Sequence, residues 1–286
     1  MAITINTNIA SLNAQRRLAN TTLQLQNTYQ KLSSGLRITR ASDDAAGLAI
    51  ADTLRADQRI ATVAIRNAND GISLVSIADG AIASISDVLS RLSELATQSA
   101  NGVLTSVQRS ALDNEFRALG SEIERIAFTT SFNGLALLSG GAQVSLQIGF
   151  NSASTSQISF SGVAGTLASI GLANSGSSVL IFSLNDTTTS GGQLAARSAL
   201  DAVKGAISSI TASRGILGAA ESRLNVTITN LQVARENFAS AESQIRDVDV
   251  ASEAANLTRL NILQQAGASV LAQANQQPAL ALSLLQ

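Results

Sequence analysis

From Leu200 onward, positions three and four residues apart form an unbroken stripe: Leu200, Val203, Ile207, Ile210, Arg214, Leu217, Glu221, Leu224, Ile228, Leu231, Arg235, Phe238, Glu242 and Ile245. This is heptad spacing, and a chain that keeps it for so many turns folds as one long helix whose apolar seam faces a partner. At 1.5 Å per residue that helix is roughly 70 Å long, so it needs an equally long neighbour to cover it. Arg214, Glu221, Arg235 and Glu242 interrupt the aliphatics; they either stand solvated in the seam, or fix register, or meet a neighbouring subunit.

The chain supplies the neighbours. After Arg40-Ala41-Ser42, a second helical stretch carries Ile65, Ala68, Ile72, Val75, Ile82, Ile85, Leu89, Leu92 and Ala96 on one face. It should end near Ala100-Asn101-Gly102, since Asn-Gly is a helix stop. A third reads from about Ser106 to Ala127, with Leu112, Phe116, Leu119, Ile123 and Ile126 at helical spacing, before the turn-like Phe132-Asn133-Gly134. Three such helices bury one another's stripes.

Between Arg125 and Arg197 the only charged residue is Asp186, and Ser, Thr and Gly take over. There Val144, Leu146, Ile148 and Phe150 alternate with small or polar residues, Ile158 and Phe160 do the same, and Leu180, Phe182 and Leu184 suggest a further strand. At the chain ends, Ile5, Ile9, Leu12, Ala19 and Leu23 mark one helix, and Leu260, Leu263, Val270 and Ala274 mark another, which Pro278 should stop. The expected fold is mainly α: a long antiparallel helical rod with coiled-coil terminal arms and a small β-hairpin region. The expected division is residues 1–42 with 246–286 as a terminal helical domain, 43–138 with 194–245 as the rod, and 139–193 as hairpins.

Composition narrows the function. Histidine and cysteine are both absent, which removes the usual nucleophile–base pairs, zinc sites, iron–sulfur clusters and disulfides. The 20 acidic residues read as caps, helix faces and turns, with no acid–base pair to support an enzyme. Ser42-Asp43-Asp44 reads as a helix N-cap. A net charge of −1 argues against nucleic acid. Residues 1–42 are nonetheless basic, with Arg16, Arg17, Lys31, Arg37 and Arg40 and no acid, so an amphipathic arm acting on anionic lipid is a rival reading. No uninterrupted apolar stretch of about 18 residues occurs and the first 20 residues lack a Sec-type signal pattern, so neither membrane insertion nor Sec export is expected.

The ending Ala279-Leu280-Ala281-Leu282-Ser283-Leu284-Leu285 would leave an exposed apolar patch on a monomer, and each terminal arm has too little core to hide its apolar face. Homopolymerisation is the economical answer, and a head-to-tail contact that does not close a ring gives an open helical filament.

Specific motifs carry a resemblance. Leu32-Ser-Ser-Gly-Leu-Arg37, Ser42-Asp-Asp-Ala-Ala-Gly47 and Arg66-Asn-Ala-Asn-Asp-Gly-Ile72 resemble the N-terminal signature of bacterial flagellins, and Ile262-Leu-Gln-Gln-Ala-Gly267 with Val270-Leu-Ala-Gln-Ala-Asn275 is similar to its C-terminal counterpart. The resemblance covers residues 1 to about 134 and about 197 to 286; the middle holds only enough chain for the rod's own hairpins.

It implies a structural subunit of the flagellar filament without catalytic activity or cofactor. Inter-subunit contacts would be made by Ile5, Ile9, Leu12, Leu23, Leu260, Leu263, Val270 and Leu285. It further implies export unfolded through the flagellar export apparatus, a chaperone on the C-terminal arm, cap and junction proteins as partners, and an extracellular filament as destination. Arg91, Glu94, Leu95, Gln98 and Glu115 match a surface that Toll-like receptor 5 recognises in relatives, although Leu119 stands where the receptor-activating pattern has arginine. A hook–filament junction protein is the nearest rival within the same plan.

Overall fold

Helices account for most of the chain, as the stripes predict. They are α1 (Ile9–Ser34), α2 (Ala45–Ser99), α3 (Ser106–Thr129), α4 (Thr189–Arg246) and α5 (Val250–Ser283), with two small antiparallel pairs, β1 (Ser131–Phe132) with β2 (Leu135–Ala136) and β3 (Val144–Gln147) with β4 (Gln157–Phe160). The computed structural model describes residues 7–140, 143–160, 163–185 and 189–283. Contacts divide the chain into one unit of Arg59–Arg235 and a second of Met1–Gln58 with Glu236–Gln286.

The Arg59–Arg235 unit is built on the long seam. Ile82, Ile85, Leu89, Leu92 and Leu95 of α2, Phe116 and Ile123 of α3, and Val203, Ile210 and Leu224 of α4 are all buried in one core. Each such side chain contributes about 1.5–3 kcal/mol by leaving water. By length and composition α2 could cross a bilayer, and 33% of its most apolar window is buried within the structure. α4 begins at Thr189, upstream of the expected rod boundary at 194, and Ala196 and Ala199, both fully buried, carry its seam backward from Val203. Within this unit α2 and α4 run antiparallel: Arg214 grips Asp79 through Nε at 2.9 Å and Nη2 at 3.3 Å, and Gln193 lies against Gly102. Arg214 thus forms an exposed ion pair that links α2 and α4, and Glu221 is exposed as well.

Each helix end has a local cause. Thr105 and Gln108 close a capping box on α3, which satisfies two orphan N–H groups at once. At the other side of that turn the guanidinium of Arg109 is fully buried and donates to the carbonyls of Ser99 (2.9 Å) and Asn101 (2.9 Å). A cation from α3 therefore satisfies carbonyls that the end of α2 leaves over and complements its negative dipole.

The hairpins follow the alternation. Asn133 (φ 50°) and Gly134 (φ 80°) make the two-residue turn between β1 and β2, as Asn-Gly favours. Val144 pairs with Phe160 and Leu146 with Ile158. Leu146 fills the space where a Cβ on Gly71 would stand, so glycine at 71 lets the hairpin lie directly on α2.

Leu180–Leu184 is not a strand. The N–H of Ile181 donates to Leu172 O, and the N–H of Leu184 and the hydroxyl of Ser183 donate to Asp113 Oδ1 at 2.7 and 3.0 Å. The Ile181 bond belongs to an isolated bridge between Ala173 and Leu180, and further along the segment the Leu184 donor that a ladder would need is claimed by a helix carboxylate. Glu124 acts likewise, accepting from the N–H of Leu167 at 2.9 Å. Both acids are buried on α3 and tie the Ser/Thr/Gly-rich region to it.

In the second unit α1 and α5 pair antiparallel, with Ser11 against Asn275, Leu18 beside Gly267, Thr28 beside Asn256 and Leu36 bridged to Asp247. α1 stops at Gly35, whose φ of 72° permits its N–H to return to Lys31 O. Arg37 then crosses to α4, donating its N–H to Arg246 O at 2.7 Å and its Nη2 to Ile245 O at 2.6 Å.

Pro278 does not stop α5, which continues to Ser283. A proline removes one donor from the ladder, and a helix survives that loss where its freed carbonyl finds another partner.

Candidate assembly surface

Of the apolar stripes expected on the arms, Leu260 and Ala274 of α5 lie in the seam between the two helices, whereas Ile9, Leu12 and Leu23 of α1 do not. In α1 the residues turned toward α5 are Ser11, Ala14, Leu25 and Thr28. In α5 they are Leu260 and Ala274, with the half-buried Leu257, Gln264, Gly267 and Leu271 completing the heptads. The seam therefore mixes small and polar side chains with Leu25, Leu257, Leu260 and Leu271.

The larger apolar groups point outward. Ile9 is 61%, Leu12 57%, Leu23 59%, Leu263 45% and Val270 53% exposed, while Leu260 is 2% exposed and packs within the chain. Ile5 and Leu285 lie outside the described residues. Ile262, beside Leu263 and one step off the apolar stripe, is likewise exposed at 61%. Gln15, Leu18, Ala19, Thr22 and Leu23 line a shallow apolar groove on α1.

The junction between α1 and α2 is closed by carboxylates, in line with the capping reading of Ser42-Asp43-Asp44. Asp44 Oδ1 accepts from the N–H of Gly47 at 2.8 Å at the start of α2. Asp43 Oδ2 accepts from the N–H and hydroxyl of Thr39 and from the N–H of Arg40, at 3.0 to 3.1 Å. These donors, the Thr39 N–H foremost, hold the Asp43 carboxyl below its usual 3.8. A depressed folded pKa gives a contribution that is complete above 3.8 and lost as pH falls through the lower folded value. Amide protection at Thr39 and Arg40, measured by hydrogen exchange, should hold steady from about pH 7 to about pH 4 and fall below that; Asp43→Ala should abolish this acid limb.

The second candidate set lies on α2 and α3. Arg91 donates to Glu115 through Nε at 3.0 Å and Nη2 at 2.8 Å, and to Glu94 through Nη1 at 2.9 Å. The hydrogen bond to Glu94, followed by that to Glu115, raises the Arg91 pKa. Gln98 is exposed, Leu119 is half-buried against the core, and Leu95 is fully buried. Arg91, Glu94, Gln98 and Glu115 thus present a polar surface, while Leu95 acts as its packing beneath.

Among the described residues no three His, Cys, Asp or Glu side chains gather where they could hold a metal. A pair of helices that closes its own seam and still leaves Ile9, Leu12, Leu23, Leu263 and Val270 exposed defines a structural subunit made to add to further subunits.

The description "Bacterial flagellin N-terminal helical region" matches residues 5–143, and "Bacterial flagellin C-terminal helical region" matches residues 200–285. The chain is 42% identical to a flagellin of Halalkalibacterium halodurans and 40% identical to one of Bacillus subtilis, in each case over 99% of both chains. In fold it is similar to the structure of a putative flagellar hook-associated protein from Vibrio parahaemolyticus, with a TM-score of 0.58 and 14% identity over 72% of this chain and 100% of the other. The chain belongs to the bacterial flagellin family, and it is a structural subunit of the flagellar filament.

Proposed function

We propose that the paired terminal arms, residues 1–42 with 246–286, form the inner layer of the filament and that residues 43–245 stand outside it. The observation that carries this reading is the outward exposure of Ile9, Leu12, Leu23, Leu263 and Val270 on a helix pair already closed by its own seam. A surface of that kind is stable in water only when further copies cover it. The absence of cysteine suits a chain that travels unfolded through an export channel and reaches the extracellular filament, with a chaperone covering the C-terminal arm beforehand and cap and junction proteins meeting it afterwards. The chain carries out no catalysis in this reading. Arg91, Glu94, Gln98 and Glu115 form the polar patch that Toll-like receptor 5 would meet in an animal host, with Leu95 holding it from below.

Negative-stain microscopy of the salt-nucleated intact chain beside residues 43–245 alone tests the arm assignment. Long filaments from the intact chain and none from the shortened one are expected. Filaments from both would mean that the polymer forms without the arms and that its inner layer is built from other residues.

A further inference from the structure

Pro278 is the only proline in the chain, and α5 continues through it. In a helix the N–H of residue 278 would return to the carbonyl of Ala274; proline has no such N–H. That carbonyl accepts instead from Asn8 Nδ2, at 2.7 Å. Ala274 is buried in the seam between α1 and α5, where an acceptor without a partner is costly.

Asn8 is at the same time the N-cap of α1, its Oδ1 accepting from the N–H of Ser11 at 3.0 Å. One carboxamide therefore caps its own helix with its oxygen and satisfies the opposite helix with its nitrogen. Aspartate, an equally good cap, has no donor for the second task. Ser11 adds a further bond beside it, its hydroxyl donating to Asn275 Oδ1 at 2.7 Å.

We infer that Asn8 and Pro278 form a register clasp: the proline frees the Ala274 carbonyl, and Asn8 claims it, fixing which turns of α1 and α5 meet. The need for such a device follows from the seam itself. Beside the clasp Ser11, Ala14 and Ala274 offer little size matching, and although Leu25, Leu257, Leu260 and Leu271 pack further along the seam, this end of it takes its register from a polar contact. If the helices slid by one heptad toward the interior of α5, Asn8 would face a carbonyl already bonded by a helix N–H. This rests on the reading that the outward apolar residues of the arms join subunits: the clasp presents them in one alignment only, so Asn8 and Pro278 act as positioning residues for assembly.

The test compares four full-length chains: the unaltered protein, Asn8→Asp, Pro278→Ala and the double variant. The readout is the critical concentration for polymerisation, with circular dichroism melting of the monomer to establish that the Arg59–Arg235 unit is folded in each. Asn8→Asp should raise the critical concentration about tenfold with Pro278 present, the size expected for one lost buried hydrogen bond. With alanine at 278 the helix N–H returns to Ala274, and the same substitution should change it by about twofold or less. Equal effects of Asn8→Asp in both backgrounds, or no effect with Pro278 present, would overturn the clasp.

Discussion

Replacing Arg109 by alanine should lower the unfolding free energy of the Arg59–Arg235 unit by about 3–5 kcal/mol, the largest single effect expected in that unit. The guanidinium is fully buried and satisfies the carbonyls of Ser99 and Asn101. Removing it strands those two acceptors, each costing about 1–3 kcal/mol, and opens a cavity in a close-packed site. Lysine keeps the charge but offers one compact ammonium instead of a planar fork, so Arg109→Lys should recover only part of the loss. Denaturant unfolding followed by circular dichroism measures both variants. A loss below about 1 kcal/mol for alanine would mean that other groups or water already serve the end of α2.

The second large effect concerns assembly and leaves the monomer intact. Leu12→Asp and Ile262→Asp each place a carboxylate on a surface that the monomer exposes at 57% and 61%. Neither should change the helix content or the unfolding midpoint of the Arg59–Arg235 unit. Each should raise the critical concentration for polymerisation roughly 10²–10³-fold, because a buried aliphatic contact is lost and a charge must be desolvated at the subunit boundary. Light scattering across a concentration series reads this directly. Polymerisation of either variant at the unaltered concentration would place the subunit contacts elsewhere.

Much of the fold was legible because it rests on periodicity. The seam from Val203 to Leu231, the stripe from Ile82 to Ala96, the end of α2 near Asn101-Gly102 and the Leu146/Ile158 hairpin all stand where spacing put them. What periodicity does not encode is the identity of the partner. On α1 the larger residues, Ile9, Leu12 and Leu23, make the more obvious stripe, yet Ser11, Ala14, Leu25 and Thr28 meet α5. An amphipathic pattern marks a face that must be covered and is silent on whether this chain or another covers it.

The Leu180–Leu184 segment alternates like a strand, but its donors were claimed by partners distant in sequence, Asp113 among them. Arg109 left a fainter trace. It stands with Asp113, Phe116, Gly120 and Ile123 on the buried face of α3, where extending the apolar stripe backward would have met it as an oddly placed cation. The arrest of α5 expected at Pro278 failed for a related reason: the carbonyl it frees is answered from the far end of the chain.

The two carboxylates of α3 bear on how such a chain can change. Asp113 holds Ser183 and Leu184, Glu124 holds Leu167, and Ala173 and Leu180 are bridged to each other. The short excursion between Ala173 and Leu180 therefore leaves and returns through a fastened base, and its own residues from Asn174 to Ser178 are largely exposed. Foreign sequence spliced into that excursion would inherit anchors it did not have to encode. A filament of such subunits would then repeat the added peptide once per subunit on an unaltered helical frame.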